Sequence, residues 1–483
     1  MQDKRLFPRK SWGDSMGIFD ALERWRFQRD ALRLSEPVGL VVHTSWVNFR
    51  EDDLRRMSAS PYLWLTPDSV RYELQFLTVS TVFGAKARLL LSILAEQPRC
   101  AAPAWDLEQL YQGSHMHREP QDLFDGTIVF AFGDLNKQDE FLRCVSGFDA
   151  HHIVMLSGWS CMGAMSVYSI REAANASFRP SCSLDSGQPA PPIREIASVR
   201  DAVTGERLFS GSSLQPTDLV GSYGRIFESP YFKGKYIKIY HQQAVSGIQG
   251  KKLRVLQSLA PHIRTLPIAT PERLLGTDLP SIHDGALIGY IMPKCEGSAL
   301  RDYVLTGWKG HDLELILKRL ILLLLELHNL HIIVNDLSGN NILIDDSDHV
   351  SIVDCDSFQL LHYPGGAVTE IYRHPEISSQ HFRDSLREPR HEYFAFAVLV
   401  FQCLFYDIPL RQRQDTAEDI ELNWTNASFP LDVITGPEQA KKANPDILRL
   451  WEQQPEAIRR IFSDEFLFRG DHSLGAWIRA LEL

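Results

Sequence analysis

Residues 331–359 read HIIVNDLSGNNILIDDSDHVSIVDCDSFQ. Two aspartates, Asp336 and Asp354, stand 18 residues apart with Asn341 between them. After Asn341 come an apolar run, a polar turn and a second apolar run, the pattern of two short buried strands joined by a turn. Asp345, Asp346 and Asp348 are the polar turn itself. Asp336, Asn341 and Asp354 stand instead at the strand ends, where two carboxylates and a carboxamide can grip a metal and a phosphate. Hard cations such as magnesium take oxygen ligands.

The chain around this stretch has 483 residues, 44% hydrophobic and 23% charged. That length suggests about three domain-sized units at ~150 residues each, and the composition supports real cores rather than global disorder. A formal charge of −11 disfavours bulk nucleic-acid binding, because it repels phosphate backbones. Seven scattered cysteines with no CxxC pair fit reduced thiols better than a disulfide frame or a zinc site. The N-terminal MQDKRLFPRKSWGDSMG is basic but lacks the apolar core of a signal peptide. Of the longest apolar runs, ILKRLILLLLELHNLHIIV carries charges and YFAFAVLVFQCLF falls short of the roughly 20 residues that span a bilayer. The expectation is a cytoplasmic protein with no membrane and no nucleic-acid partner.

A Ser- and Pro-rich break near 176–193 divides the chain. The expected organisation is an α/β unit over 1–175, a linker over 176–205 and a second unit over 206–483. In the first unit, strands are expected at 38–45, 74–84, 126–134 and 151–156, with helices between them and on both faces of a Rossmann-like sheet. The second unit starts with short strands and a Gly-rich turn, then turns to long apolar helices. That is an α+β, two-lobed plan, with a small lobe over 206–292, a helical lobe over 296–483 and a ligand cleft between them.

The segment VNDLSGNNILIDDSDHVSIVDCD (334–356) resembles the catalytic and metal loops of a protein kinase, H-R-D-L-x-x-x-N followed by D-F-G. Asp336 matches the catalytic aspartate, Asn341 follows five residues later, and Asp354 lies 13 beyond that. The resemblance implies an ATP- and Mg2+-dependent phosphotransferase acting on Ser or Thr hydroxyls. Asp336 would accept the hydroxyl proton, and Asn341 and Asp354 would hold the metal. The glycines of VGSYGRIFE (220–228), Gly221 and Gly224, resemble the end of a kinase Gly-rich loop, and YIKIY (236–240) its lysine strand. Lys238 would then reach the α/β phosphates. IGYIMPKCEGSAL (288–300) resembles the hinge, with Met292 at the back of the adenine pocket and Pro293, Lys294 and Cys295 offering backbone groups to the base. Glu376 of YRHPE resembles the acid closing the activation segment, with Arg469 as its partner, and Glu392 takes the place of the aspartate of the buried central helix.

The resemblance covers about 215–480 and is closest to a bacterial kinase-like group whose metal loop reads D-x-D-S-F-Q. Members of that group occur with tellurite-resistance (TerY-type) proteins and metal-dependent protein phosphatases. Such a phosphatase, a von Willebrand A-type protein or a protein substrate is therefore the implied partner. Asp356 replaces the glycine of D-F-G and would add a second carboxylate near the metal. Several positions depart from the family pattern. Val334 and Asn335 replace His-Arg, Ser338 replaces a lysine, and Leu219 replaces the first glycine. No Asp or Glu lies between Ile239 and Pro271, so the helix glutamate that normally pairs with the strand lysine is missing, and Gln249 is the nearest polar stand-in. A pseudokinase that senses nucleotide or serves as a scaffold is the alternative reading.

In the first unit, PVGLVVHTSWV (37–47) and FLTVSTVFGAKARLL (76–90) resemble the first two strands of a von Willebrand A domain. The metal motif of that domain is D-x-S-x-S, and here its positions hold His43, Ser45 and Val47. A metal-free, partner-binding version is what this resemblance implies, and an unrelated α/β domain is the other reading. His43 reads as a strand-end histidine, and His151-His152 as structural.

Overall fold

The computed structural model describes residues 38–60, 62–96, 127–132, 153–157, 193–220, 223–241, 247–277, 287–360, 363–366, 368–377, 386–406, 445–466 and 472–482. Gly221, Arg469, His151, His152, the helix expected near 137–146 and most of the expected linker lie outside the described residues. Among the described residues, no helix is long and apolar enough to cross a membrane.

The first unit contains β1 (Val38–Val41), α1 (Glu51–Ser58), β2 (Leu63–Leu65), α2 (Asp68–Leu77), α3 (Gly84–Glu96), β3 (Thr127–Phe132) and β4 (Ile153–Ser157). Its four strands form a parallel sheet in the order β2-β1-β3-β4. All four residues of β1 are buried, as a central parallel strand requires. The chain leaves β1 through a 3-10 turn, Thr44–Asn48, where His43 Nδ1 accepts the Ser45 N–H at 3.0 Å. The strand expected at 74–84 is not formed. Residues 68–77 and 84–96 are helices joined by a short turn. Val70, Leu74 and Leu77 bury one helical face, as do Ala87, Leu90 and Leu94 on the next helix, so the 3.6-residue period outweighs the β-branched LTVSTV run. The second strand of the von Willebrand A resemblance is lost with it. The sheet takes its edge from Leu63–Leu65 instead.

The middle of the chain forms β5 (Val199–Asp201), β6 (Arg207–Phe209), β7 (Gln215–Val220), β8 (Gly224–Glu228), β9 (Lys235–Tyr240), α4 (Gly247–Ile263), β10 (Arg273–Thr277) and β11 (Gly289–Pro293). These strands make one antiparallel sheet in the order β6-β5-β10-β11-β9-β8-β7. Val199–Asp201, assigned to the linker from sequence, is a strand of this sheet that pairs with both β6 and β10. Strand alternation sorts the side chains. Ile237, Ile239 and Ile291 join a small apolar cluster on one face, whereas Tyr240, Tyr290 and Met292 face the main core.

The remainder is mostly helical: β12 (Ser298–Ala299), α5 (Leu300–Thr306), α6 (Leu313–Asn329), β13 (Ile332–Ile333), β14 (Ile342–Ile344), β15 (Val350–Ile352), β16 (Gln359–Leu360), α7 (Pro389–Phe405), α8 (Pro445–Gln453), α9 (Glu456–Phe466) and α10 (Leu474–Ala480). Asp312 caps α6 by accepting the Leu315 N–H at 3.1 Å. Helix α7 is apolar nearly all round and buried along its length, with Phe394, Phe396 and Phe401 against Phe462, Phe466 and Trp477. Each such ring contributes about 1.5–3 kcal/mol by leaving water.

Candidate functional site

Three short pieces of backbone bring the site together. The first is the hairpin of β14 and β15, where Ile342 pairs with Ile352 and the Val353 N–H donates to the Asn341 carbonyl at 2.9 Å. This register delivers Asn341 and Asp354 to the same end of the hairpin. Positive-φ backbone is concentrated in the same stretch. Of six non-glycine residues with positive φ among the described residues, four are His331, Asn335, Asp348 and Asp354. Asn and Asp tolerate that region best, and such backbone clusters at functional sites.

The second piece is the loop at Asp336. Asn341 Nδ2 donates to Asp336 Oδ2 at 2.8 Å and to its carbonyl at 3.0 Å, while the Thr369 N–H donates to Asp336 Oδ1 at 2.7 Å. Both carboxylate oxygens are thereby oriented. With Nδ2 committed to Asp336, Asn341 Oδ1 is the amide atom left to act as an oxygen ligand. Glu392 of α7 holds the loop from beneath, accepting the Val334 N–H at 2.5 Å, the Asn335 N–H at 3.3 Å and His328 Nε2 at 2.7 Å.

The third piece is β9. Lys238 is buried, and its ammonium donates to Asp354 Oδ1 and to Asp356 Oδ1, the latter at 2.9 Å. Two glycines let neighbouring strands close on it. A Cβ on Gly224 would sit 2.6 Å from the Ile239 carbonyl oxygen, and one on Gly289 would sit 2.0 Å from the Lys238 carbonyl oxygen. Gly224 therefore serves close strand packing first. Opposite Lys238 in the register is Tyr290, whose hydroxyl lies 3.4 Å from Asp356 Oδ1.

The charges are strongly coupled. Burial alone would lower the Lys238 pKa, but Asp356 and Asp354 outweigh it and push the ammonium well up. Burial and the neighbouring Asp356 carboxylate raise Asp354 to about 7. For Asp356, burial is outweighed by Lys238, so its carboxyl is held low. The Asp354 side chain is 34% exposed and the Asp356 side chain only 6%. Asp354 is the carboxylate that faces outward, and Asp356 the one that faces in.

Helix α4 supplies Gln249, the stand-in expected from the sequence, and Lys252, which nothing in the sequence singled out. Lys252, fully buried, donates to the Asp356 carbonyl at 2.8 Å and the Pro364 carbonyl at 3.3 Å, and burial lowers its pKa to about 8. Gln249, one helical turn earlier, donates to the same Asp356 carbonyl at 3.0 Å. In the structure Lys252 lies among the buried Leu253, Leu256 and Leu259.

Met292, Lys294 and Cys295 lie at the end of β11 and just beyond it, following Tyr290. Met292 is buried in β11. The Lys294 N–H donates to the Gly234 carbonyl at 3.1 Å, so that amide is engaged within the sheet, and its ammonium lies 3.4 Å from Glu228 and over the Tyr236 ring. Cys295 lines a separate cavity of about 570 Å3 with Gln257, Arg264, Pro267 and Arg273.

Glu376, expected to pair with Arg469, is held by Arg390 at 2.7 Å, with His391 Nε2 at 3.5 Å and His374 Nδ1 at 3.8 Å. These two histidines and the glutamate lie close enough together to surround an ion. However, His374 Nδ1 accepts the Glu376 N–H and His391 Nδ1 accepts the Glu388 N–H. The neutral rings then carry their protons on Nε2. With a guanidinium already on Glu376, the cluster is a structural lock.

The site therefore unites Lys238, Asp336, Asn341, Asp354 and Asp356 with Gln249, Lys252 and Tyr290. Chemically it offers an oriented carboxylate, an outward carboxylate beside an amide oxygen, and a fixed ammonium. Compared with known proteins, the chain matches no family model and no curated relative.

Proposed function

We propose that the chain is an ATP- and Mg2+-dependent phosphotransferase that acts on Ser or Thr hydroxyls of a protein, with a protein kinase-like bilobal unit over about 206–483. The observation that carries this reading is the convergence of Lys238, Asp336, Asn341 and Asp354 on the end of one hairpin, between the antiparallel sheet and the helices. Residues spread over more than a hundred positions meet with the donor types that phosphoryl transfer needs. Asn341 Oδ1 and Asp354 are hard oxygen ligands suited to magnesium, which would neutralise phosphate charge when bound. Asp336, oriented by Asn341 and Thr369, accepts the proton of the attacking hydroxyl. Lys238 holds the phosphates in place.

One observation favours the alternative, a nucleotide-binding module without transfer: the Lys238 ammonium lies directly on the Asp354 oxygen that a magnesium ion needs. Labelling and ATP binding, measured together, separate the two readings. With Mg2+ and γ-labelled ATP, the wild type labels itself or a co-purifying protein, and Asp336→Ala reduces that signal at least a hundredfold. Equal labelling by both proteins would refute the enzyme reading. ATP binding that persists in Asp336→Ala, with no labelling by either protein, would establish the binding module.

A further inference from the structure

The sequence has no carboxylate on α4 to partner Lys238, and the structure contains another anion in that role. We propose that Asp356 is the positioning residue of Lys238, held in place by α4 through its backbone carbonyl rather than serving as a second metal ligand. This rests on the phosphotransferase reading. Asp356 Oδ1 receives the Lys238 ammonium at 2.9 Å and lies 3.4 Å from the Tyr290 hydroxyl. On the other side of the same residue, its carbonyl accepts both Gln249 Nε2 and Lys252 Nζ, at 3.0 and 2.8 Å. Lys252 continues to the Pro364 carbonyl, so the ammonium bridges two points of the segment that follows the hairpin.

The charge pattern is thus inverted. Where a helix carboxylate would reach a strand lysine, α4 offers a cation and an amide, and the carboxylate comes from the hairpin exit. Burial separates the tasks of the two aspartates. The Asp354 side chain is 34% exposed and can exchange its lysine contact for a cation. The Asp356 side chain is 6% exposed, and the two donors on its carbonyl fix the backbone from which that side chain reaches Lys238. A carboxylate anchored in this way keeps Lys238 aimed when Asp354 turns to the metal.

The test compares wild type, Asp354→Asn and Asp356→Asn, both isosteric changes, with Gln249→Ala as a milder variant that removes one hydrogen bond to the Asp356 carbonyl. ATP affinity is measured by calorimetry, and Mn2+ affinity of the ATP-bound protein by electron paramagnetic resonance. Expected are at least a tenfold loss of ATP affinity in Asp356→Asn with Mn2+ affinity within twofold of wild type, and at least a tenfold loss of Mn2+ affinity in Asp354→Asn. Gln249→Ala weakens ATP binding about threefold and leaves Mn2+ unchanged. If Asp356→Asn loses Mn2+ as severely as Asp354→Asn, Asp356 is a metal ligand and the proposal fails. Unchanged ATP affinity in Asp356→Asn also overturns it. Should that variant not fold, unchanged ATP affinity in Gln249→Ala does the same. A wild type that binds neither ATP nor Mn2+ would refute the phosphotransferase reading itself, a result distinct from these.

Discussion

Gly289 carries the tightest steric constraint beside Lys238, since a methyl group there would collide with the lysine's own carbonyl at 2.0 Å. Gly289→Ala is expected to cost roughly 1–3 kcal/mol in urea denaturation, because β11 and β9 must separate. An unchanged midpoint would show that the strands yield freely. At this scale, much of the site was legible. Asp336, Asn341 and Asp354 stand at the ends of two short apolar runs, and Lys238 inside a short strand, at a spacing that singles them out. Lys252 was not legible, because GKKLRVLQ reads as an ordinary basic helix. Its burial depends on a carbonyl acceptor 104 residues away. The inward-facing role of Asp356 was hidden for the same reason. Its place two residues after Asp354 suggests a second ligand, and only the fold reveals which way the side chain turns.

Among the elements, helices α6 and α7 and strands β9 and β11 follow from periodicity and length, whereas the helical pair α2–α3 was masked by β-branched residues at its turn. The start of α7 has a property of its own. Burial, chiefly, lowers the His374 pKa to about 3 and also lowers that of His391. Both rings are neutral in the folded protein and take up protons on unfolding below about pH 6.5. The unfolded chain binds more protons there, so stability falls as pH drops below about 6.5. Glu376 is held low by its hydrogen bond from His391 and by Arg390, despite partial burial, and adds a further loss below about pH 4.5. The urea midpoint should therefore decline from pH 7 to pH 5, and His374→Asn should flatten that slope. A wild-type midpoint constant over this range would contradict the buried neutral pair.

On the scale of the whole molecule, the parallel-sheet unit and the helices share one apolar core. Glu73 of α2 accepts the Thr44 hydroxyl and, at 3.1 Å, the N–H of Gly475 in α10, while Asn48 Nδ2 donates to the Asn329 carbonyl at 2.8 Å. A Cβ on Gly475 would sit 2.5 Å from the Ser69 carbonyl oxygen, so α10 lies directly against α2. Sequence composition suggested separable units because a linker-like tract divides them, and no local pattern announces contacts across that distance. Calorimetry should give one transition for both parts, and Glu73→Ala should reduce stability by about 1–3 kcal/mol through loss of the two hydrogen bonds it accepts. Two resolved transitions would show that the parts are independent.

The seam between α2 and α10 also has a consequence in time. Glu73 and Gly475 are 402 residues apart, and at roughly 5–20 residues per second a ribosome takes about 20–80 s to make the second after the first. Through that interval, the early helix has left the exit tunnel while its docking face is still unsynthesised. A chain stopped before Leu474 would lack the partner that Glu73 and Ser69 meet at Gly475.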